Sequence, residues 1–361
     1  MYLYIIQAIL FLFAVLETNH IPFNGRRRIY TYSYTLFISV IFFLSAIRWE
    51  TGTDWPTYYH YFQGYTRNME EDYMEPLFNL MNRINSSFDY QVQITEIAAL
   101  SIFPIAWRYE KMSPYPLLTL YIWFSLIFAH LFPVRQTIAI SIIVFSWKYI
   151  EQKCFKKYLV GVCLSICFHY SAIIALPLYF VWYRNIKIRW FIIIMITSTL
   201  CGLLLEYTVK NLLYMIGGDF FNEKLTIYME NSENSFGAQY TPRQALVRGI
   251  INRSLFLIIP LLVLNKKREL NTRLNALFNL GLYSYVLFVL VTPLSIALGR
   301  LTVFSDMFQA LLIPYIFTLK MKNSSRIILL LIIGVYFLYR FTGVVNNYHD
   351  LYIPYKSFLM H

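Results

Sequence analysis

Apolar blocks of roughly 15 to 20 residues recur along this chain, each ending at a Lys/Arg cluster or a polar loop, and that repeat limits what it can fold into. A helix of that length crosses about 30 Å of hydrocarbon. The chain is 58% apolar and 19% aromatic with only 14% charged residues, more hydrophobic surface than one soluble core of 361 residues can bury. The expectation is an all-α, polytopic transmembrane helical bundle of about 10–12 spans. No Ser/Gly/Pro-rich linker, low-complexity tract or soluble module interrupts the blocks, so residues 1–361 read as a single integral membrane domain.

The net charge of +12 does not point to nucleic acid, because the basic residues form short clusters between apolar blocks rather than a stripe with interleaved aromatics. They report topology. Arg26-Arg27-Arg28 follows the first block, the reverse of a cleaved signal peptide, so the first span, 2–18, is retained with its N-terminus outside. The second span, about 30–47, delivers Arg48 to the outer face, and the loop 48–90 is external. Spans at about 91–107, 116–132 and 137–150 follow. Residues 158–183 are too many for one ordinary span and too few for two; a hairpin of short or half helices keeps more of the Lys/Arg inside. Later spans fall at about 190–206, 250–265, 276–291, 303–319 and 327–342, with a second long external loop at 207–249 and an external tail from about 343.

Cys154, Cys163, Cys167 and Cys201 lie in or beside apolar runs, which reads as small buried thiols rather than a disulfide framework or a metal pair. No metal motif, Walker loop, dinucleotide fingerprint or Ser nucleophile elbow is present, and no metal or cofactor is expected.

Candidate chemistry gathers in residues 48–59, where one Arg, two carboxylates, a Gly and four aromatic rings follow an apolar block. Arg48, Arg135 and Arg300 each stand at the mouth of a span on the side that the positive-inside bias depletes. Guanidinium forks there suit a lipid diphosphate; the plain alternative is snorkelling or pairing with Glu50 or Glu75. Asp54, after Gly52-Thr53 and beside Trp55, Tyr58 and Tyr59, is placed to take a hydroxyl proton or to steady an oxocarbenium-like transition state, or else to cap a turn. Glu75 before Pro76 is either a second carboxylate or an ordinary helix start. His169, in an apolar setting, is a base or a structural hydrogen-bonder.

Taken in order, Arg48, Gly52-Thr53-Asp54 with an aromatic at 55 and Tyr58, then Glu75-Pro76-Leu77-Phe78, then Arg135-Gln136 with Ala139, then Phe168-His169-Tyr170-Ser171-Ala172 resemble the EpsG-like branch of the Wzy-type polysaccharide polymerases. The ordered set covers residues 48–175. Trp55 stands where that family usually has Tyr, and in the second half the likeness thins to Arg300-Leu301 with Phe304.

The resemblance implies an enzyme of the bacterial cytoplasmic (inner) membrane, working on its outer face. It would join undecaprenyl-diphosphate-linked oligosaccharide repeat units by glycosyl transfer without a nucleotide. Asp54, with His169 second and Glu75 beside them, would be catalytic; Arg48, Arg135 and Arg300 would hold diphosphate; Gln136, Tyr58, Trp55 and Arg243 would contact sugar or phosphate. Membrane lipids, a chain-length regulator and a flippase are the implied partners. A flippase or transporter of the lipid-linked oligosaccharide, or a glycan ligase, is the alternative. Sugar identity, linkage, stereochemical outcome and the class of product are not written in these residues.

Overall fold

A computed structural model describes residues 2–20, 28–52, 55–66, 74–128, 134–204, 241–347 and 353–360, together with 211, 215, 218, 222, 223, 226 and 349. The described chain is helical, with one isolated antiparallel bridge and no strand among the described residues. Among the described residues, five helical stretches are long and apolar enough to cross a membrane: Ile29–Ala46, Pro242–Leu264, Thr272–Val291, Leu298–Thr318 and Asn323–Gly343. Shorter apolar helices cover Leu3–Asn19, Pro116–Leu126, Tyr170–Trp182 and Ile188–Leu204. The protein is therefore a multi-pass, all-α membrane bundle.

In chain order the helices are α1 (Tyr2–His20), α2 (Arg28–Ala46), α3 (Trp55–Thr66), α4 (Pro76–Asn85), α5 (Tyr90–Met112), α6 (Pro116–Trp123), α7 (Arg135–Glu151), α8 (Phe155–Ile166), α9 (Leu178–Trp182), α10 (Ile188–Leu204), α11 (Pro242–Leu270), α12 (Thr272–Val291), α13 (Val303–Asp306), α14 (Phe308–Leu312) and α15 (Asn323–Asn347). Residues 158–183 form the broken element that their length required: α8, a 3-10 turn at Tyr170–Ala175, then α9. The loop expected at 48–90 instead holds two helices, α3 and α4, and the last residues of the loop expected at 207–249 already belong to α11.

Two compact units divide the chain, Met1–Leu176 with Ile313–His361, and Pro177–Leu312. In the first, α7 packs on α5 and α8, α5 on α2, and α1 on α6. Polar ties lock the bundle: Tyr34 Oη donates to the Ala106 carbonyl at 2.7 Å, Tyr121 Oη to that of Gly334 at 3.0 Å, and Ser165 Oγ to that of Ala139 at 2.8 Å. Gly161 is required where α8 crosses α7, because a Cβ there would lie 2.2 Å from Ser146 Oγ. Start signals are readable locally. Pro116 opens α6, and the Glu17 carboxylate accepts from the Leu117 and Leu118 amides at 2.9 and 3.2 Å, meeting orphan donors at the positive end of that helix.

In the second unit α12 is the packing centre, touching α9, α10, α11, α13 and α14. Asn271 caps it, its Oδ1 accepting from Leu274 N at 3.1 Å. The span expected at 303–319 is a succession of short helices rather than one rod. None of the four cysteines is fully buried; Cys163 is exposed on α8, an outward apolar face rather than a core position.

Candidate functional site in the first unit

Residues 47–51 form an extended edge held by a segment near the end of the chain. Trp49 N donates to Lys356 O at 2.9 Å and Phe358 N to Ile47 O at 3.0 Å, bracketing the Arg48–Ser357 bridge. Tyr355 Oη donates to Leu44 O, and Lys356 Nζ pairs with Glu50 at 2.6 Å. Burial raises the Tyr355 phenol above its ordinary value, while the positive charge of Arg48 acts against that shift. The edge is conformationally unusual: Glu50 has φ 44° and Gly52 φ 104°, the left-handed region that costs a side chain steric strain. Arg48 itself is buried.

After this edge the chain builds an aromatic cluster. Trp55 stacks on Tyr59 with centroids 4.9 Å apart and meets Trp49 edge-on at 4.9 Å and Tyr90 at 5.6 Å. Tyr58, Phe62, Phe78, Ile94, Val134 and Ile138 complete the packed core, with Phe168 against it. Trp55 and Tyr58 are thus both buried.

Arg135, at the first turn of α7, is set against this cluster. Its Nε donates to Tyr58 Oη at 3.1 Å, its Nη1 pairs with Glu75, and its guanidinium carbon lies 5.8 Å from the Tyr58 ring centre. Nη2 makes no hydrogen bond among the described residues, and the side chain keeps 24% of its exposure. Glu75 is the N-cap residue of α4, with Pro76 at N1 as the sequence pair signals. Its other oxygen, Oε1, accepts from Tyr170 N at 3.1 Å, and two residues on Leu77 N donates to Cys167 O at 2.9 Å. The 3-10 turn carrying His169 is thereby fastened to the start of α4.

His169 is half-buried at the N-cap of that turn. Its Nδ1 accepts from Ser171 N at 3.3 Å and lies 2.6 Å from Ser171 Oγ. A backbone N–H can only donate, so Nδ1 is the acceptor and the neutral ring carries its proton on Nε2.

Four separated sequence stretches therefore meet: Trp49 with 55–59, then 75–78, 134–138 and 167–170. Gln136 is buried on α7 beside them. Asp54 lies outside the described residues. Arg243, exposed at the start of α11, and Arg300, half-exposed in the 3-10 turn Ile296–Thr302, belong to the second unit.

Sequence reading missed the amides beneath the cluster. Asn79, Asn82 and Asn85 are buried: Asn79 Oδ1 accepts from Tyr61 Oη at 2.6 Å, Asn82 Oδ1 from Gln93 Nε2 at 2.8 Å, and Asn85 Nδ2 donates to Glu96 at 2.6 Å. Their three-residue spacing along one helix face was the available signal. Also missed was Asp306, an acid inside an apolar block, which is itself a warning sign. In the second unit it accepts from Arg253 Nη2 at 2.5 Å, Thr302 Oγ1 at 2.8 Å, Gln309 Nε2 at 3.0 Å and Ser284 Oγ.

A family model described as the EpsG family matches residues 31–357. No curated protein and no solved structure matches the chain.

Proposed function

The chain belongs to the EpsG family, whose members point to polysaccharide-polymerase-type activity in a membrane, and from that premise we propose a lipid-linked glycan polymerase centred on Arg135. It joins undecaprenyl-diphosphate-linked oligosaccharide repeat units on the outer face of the bacterial cytoplasmic membrane. The acceptor hydroxyl attacks the anomeric carbon of the donor glycan. The bond from that carbon to the diphosphate breaks, the lipid diphosphate leaves, and the hydroxyl proton passes to a protein base.

The observation that carries this reading is a half-buried guanidinium oriented by Tyr58 and Glu75 with Nη2 uncommitted to any described residue, where four stretches of the resemblance meet. A fork held in advance stabilises charge developing on a diphosphate leaving group without reorganising. Arg48, in the same unit, is the second cation for the diphosphate. Asp54 is the general base toward the acceptor hydroxyl, with His169 in reserve once its ring proton is arranged for it. Glu75 acts through Arg135 and through the His169 turn, holding both. Gln136, Tyr58 and Trp55 serve sugar or phosphate.

The test is a glycan ladder from a deletion strain complemented with wild type, Asp54→Asn or Arg135→Ala, with membrane abundance measured for each. The proposal expects a ladder from wild type and single repeats from both variants at normal abundance. Attached glycan missing altogether would indicate a ligase. Lipid-linked units accumulating inside the cell would indicate a flippase, and either result overturns the assignment.

A further inference from the structure

An amphipathic helix on a water-exposed surface buries its apolar side. In α4 the pattern is turned round. Its buried side carries Asn79, Asn82 and Asn85 with Phe78 and Met81, while Leu80 and Ile84 are exposed at 47% and 59%, followed by exposed Phe88. The amides are satisfied inward, by Tyr61, Gln93, Glu96 and the Met74 carbonyl. The outward apolar face is therefore a fixed surface and not a frayed edge.

That face continues an apolar belt. On α5, against which α4 packs, Val92, Leu100, Phe103 and Trp107 are exposed. Phe103 packs, tilted by 34°, on Phe42 of α2 with centroids 4.9 Å apart, and α2, a helix long and apolar enough to span, exposes Leu36 and Phe43. A ten-residue helix covers only about 15 Å, half the hydrocarbon thickness, so α4 cannot cross. We infer that α4 is an interfacial helix lying in the outer leaflet, with Leu80, Ile84 and Phe88 against lipid acyl chains. Exposed Arg83, at the border between its apolar and amide faces, sits where a long cationic side chain reaches lipid phosphates.

The consequence rests on the polymerase reading above. Glu75 is the N-cap residue at the start of α4, so Glu75 and its partner Arg135 are fixed at headgroup depth, where the diphosphate of a lipid-linked donor resides. The lipid donor then reaches the fork by lateral diffusion, with its diphosphate still in the interface.

Depth is measurable without any polymerisation. A chain whose four native cysteines are replaced by Ala, carrying Ile84→Cys, Asp89→Cys or Val335→Cys, is labelled with an environment-sensitive fluorophore. It is then reconstituted in phosphatidylethanolamine/phosphatidylglycerol vesicles. Val335, exposed on α15, is the deep lipid reference, and Asp89, exposed beyond Phe88, the aqueous-side one. The expected result is that a nitroxide high on the acyl chain quenches position 84 more strongly than a deep one does, with the reverse order at 335. Iodide should quench position 84 at least about threefold less than position 89. Equal iodide quenching at 84 and 89 would overturn the inference. So would shielding of position 84 from both iodide and nitroxides, which would mean that protein covers the face. Shallow nitroxide quenching in a chain whose Arg135→Ala form still polymerises would leave α4 interfacial and remove the functional reading alone.

Discussion

The arginine–carboxylate pair Arg135–Glu75 of the first unit and the pair Arg253–Asp306 of the second are built differently. Asp306 is saturated: Arg253, Ser284, Thr302 and Gln309 all donate to it, and Phe288 covers the Arg253 guanidinium, 3.8 Å from carbon to ring centre. Among the described residues Glu75 accepts from Arg135 and the Tyr170 amide alone, and Arg135 keeps a nitrogen that no described residue uses. The first arrangement gathers four side-chain donors on one buried carboxylate at the end of the short helix α13. The second joins helix ends and orients a guanidinium whose Nη2 no described residue engages, the nitrogen that the proposed function assigns to the diphosphate. The difference lies in the carboxylates: four side chains donate to Asp306, whereas among the described residues Glu75 accepts from one side chain and one backbone amide.

The largest effect should come from breaking the saturated pair. Asp306→Leu strands a buried guanidinium and should cost about 3–5 kcal/mol, whereas Arg253→Met with Asp306→Leu should recover most of it. Thermal unfolding in detergent and membrane abundance check this. At the open pair the loss should fall on activity instead. Arg135→Lys and Arg135→Ala should each reduce polymer at least about 100-fold, equivalent to about 2.7 kcal/mol of transition-state stabilisation, because an ammonium does not reproduce the fork. Similar unfolding midpoints for wild type and Arg135→Lys would confirm that the two pairs have different duties.

Smaller changes sharpen the contrast. Tyr58→Phe removes one hydrogen bond to Arg135 Nε, worth about 0.5–1.5 kcal/mol, and should lower polymer yield by about tenfold at most, read from ladder intensity at equal abundance. Lys356→Ala breaks a third pair, with Glu50, that is 46% exposed at both ends. Its effect on the unfolding midpoint should correspond to about 0.2–1 kcal/mol.

How far these features can be read in the sequence depends on their range. The apolar blocks announce the spans because membrane length is a local constraint, and the odd length of residues 158–183 announces a broken element for the same reason. Glu75-Pro76 marks the start of α4, since Pro at N1 needs no amide partner. The pairing of Arg135 with Glu75 spans 60 residues, and that of Arg253 with Asp306 spans 53, so neither leaves a local pattern. The helix α4 was hidden for a different reason: its amides face inward and its Leu and Ile outward, the inverse of a soluble helix. The clasp of residues 355–358 on the Arg48 edge is likewise backbone pairing between distant residues, independent of side-chain type.

The central claim is that the Arg135 fork acts on a lipid diphosphate during polymerisation. Its most direct test uses purified protein in proteoliposomes supplied only with lipid-diphosphate-linked repeat units. Wild type should convert them to a ladder and release lipid diphosphate, and Arg135→Lys, folded with an unchanged unfolding midpoint, should leave single units. A full ladder from Arg135→Lys, or none from folded wild type given the cognate repeat unit, would contradict the account.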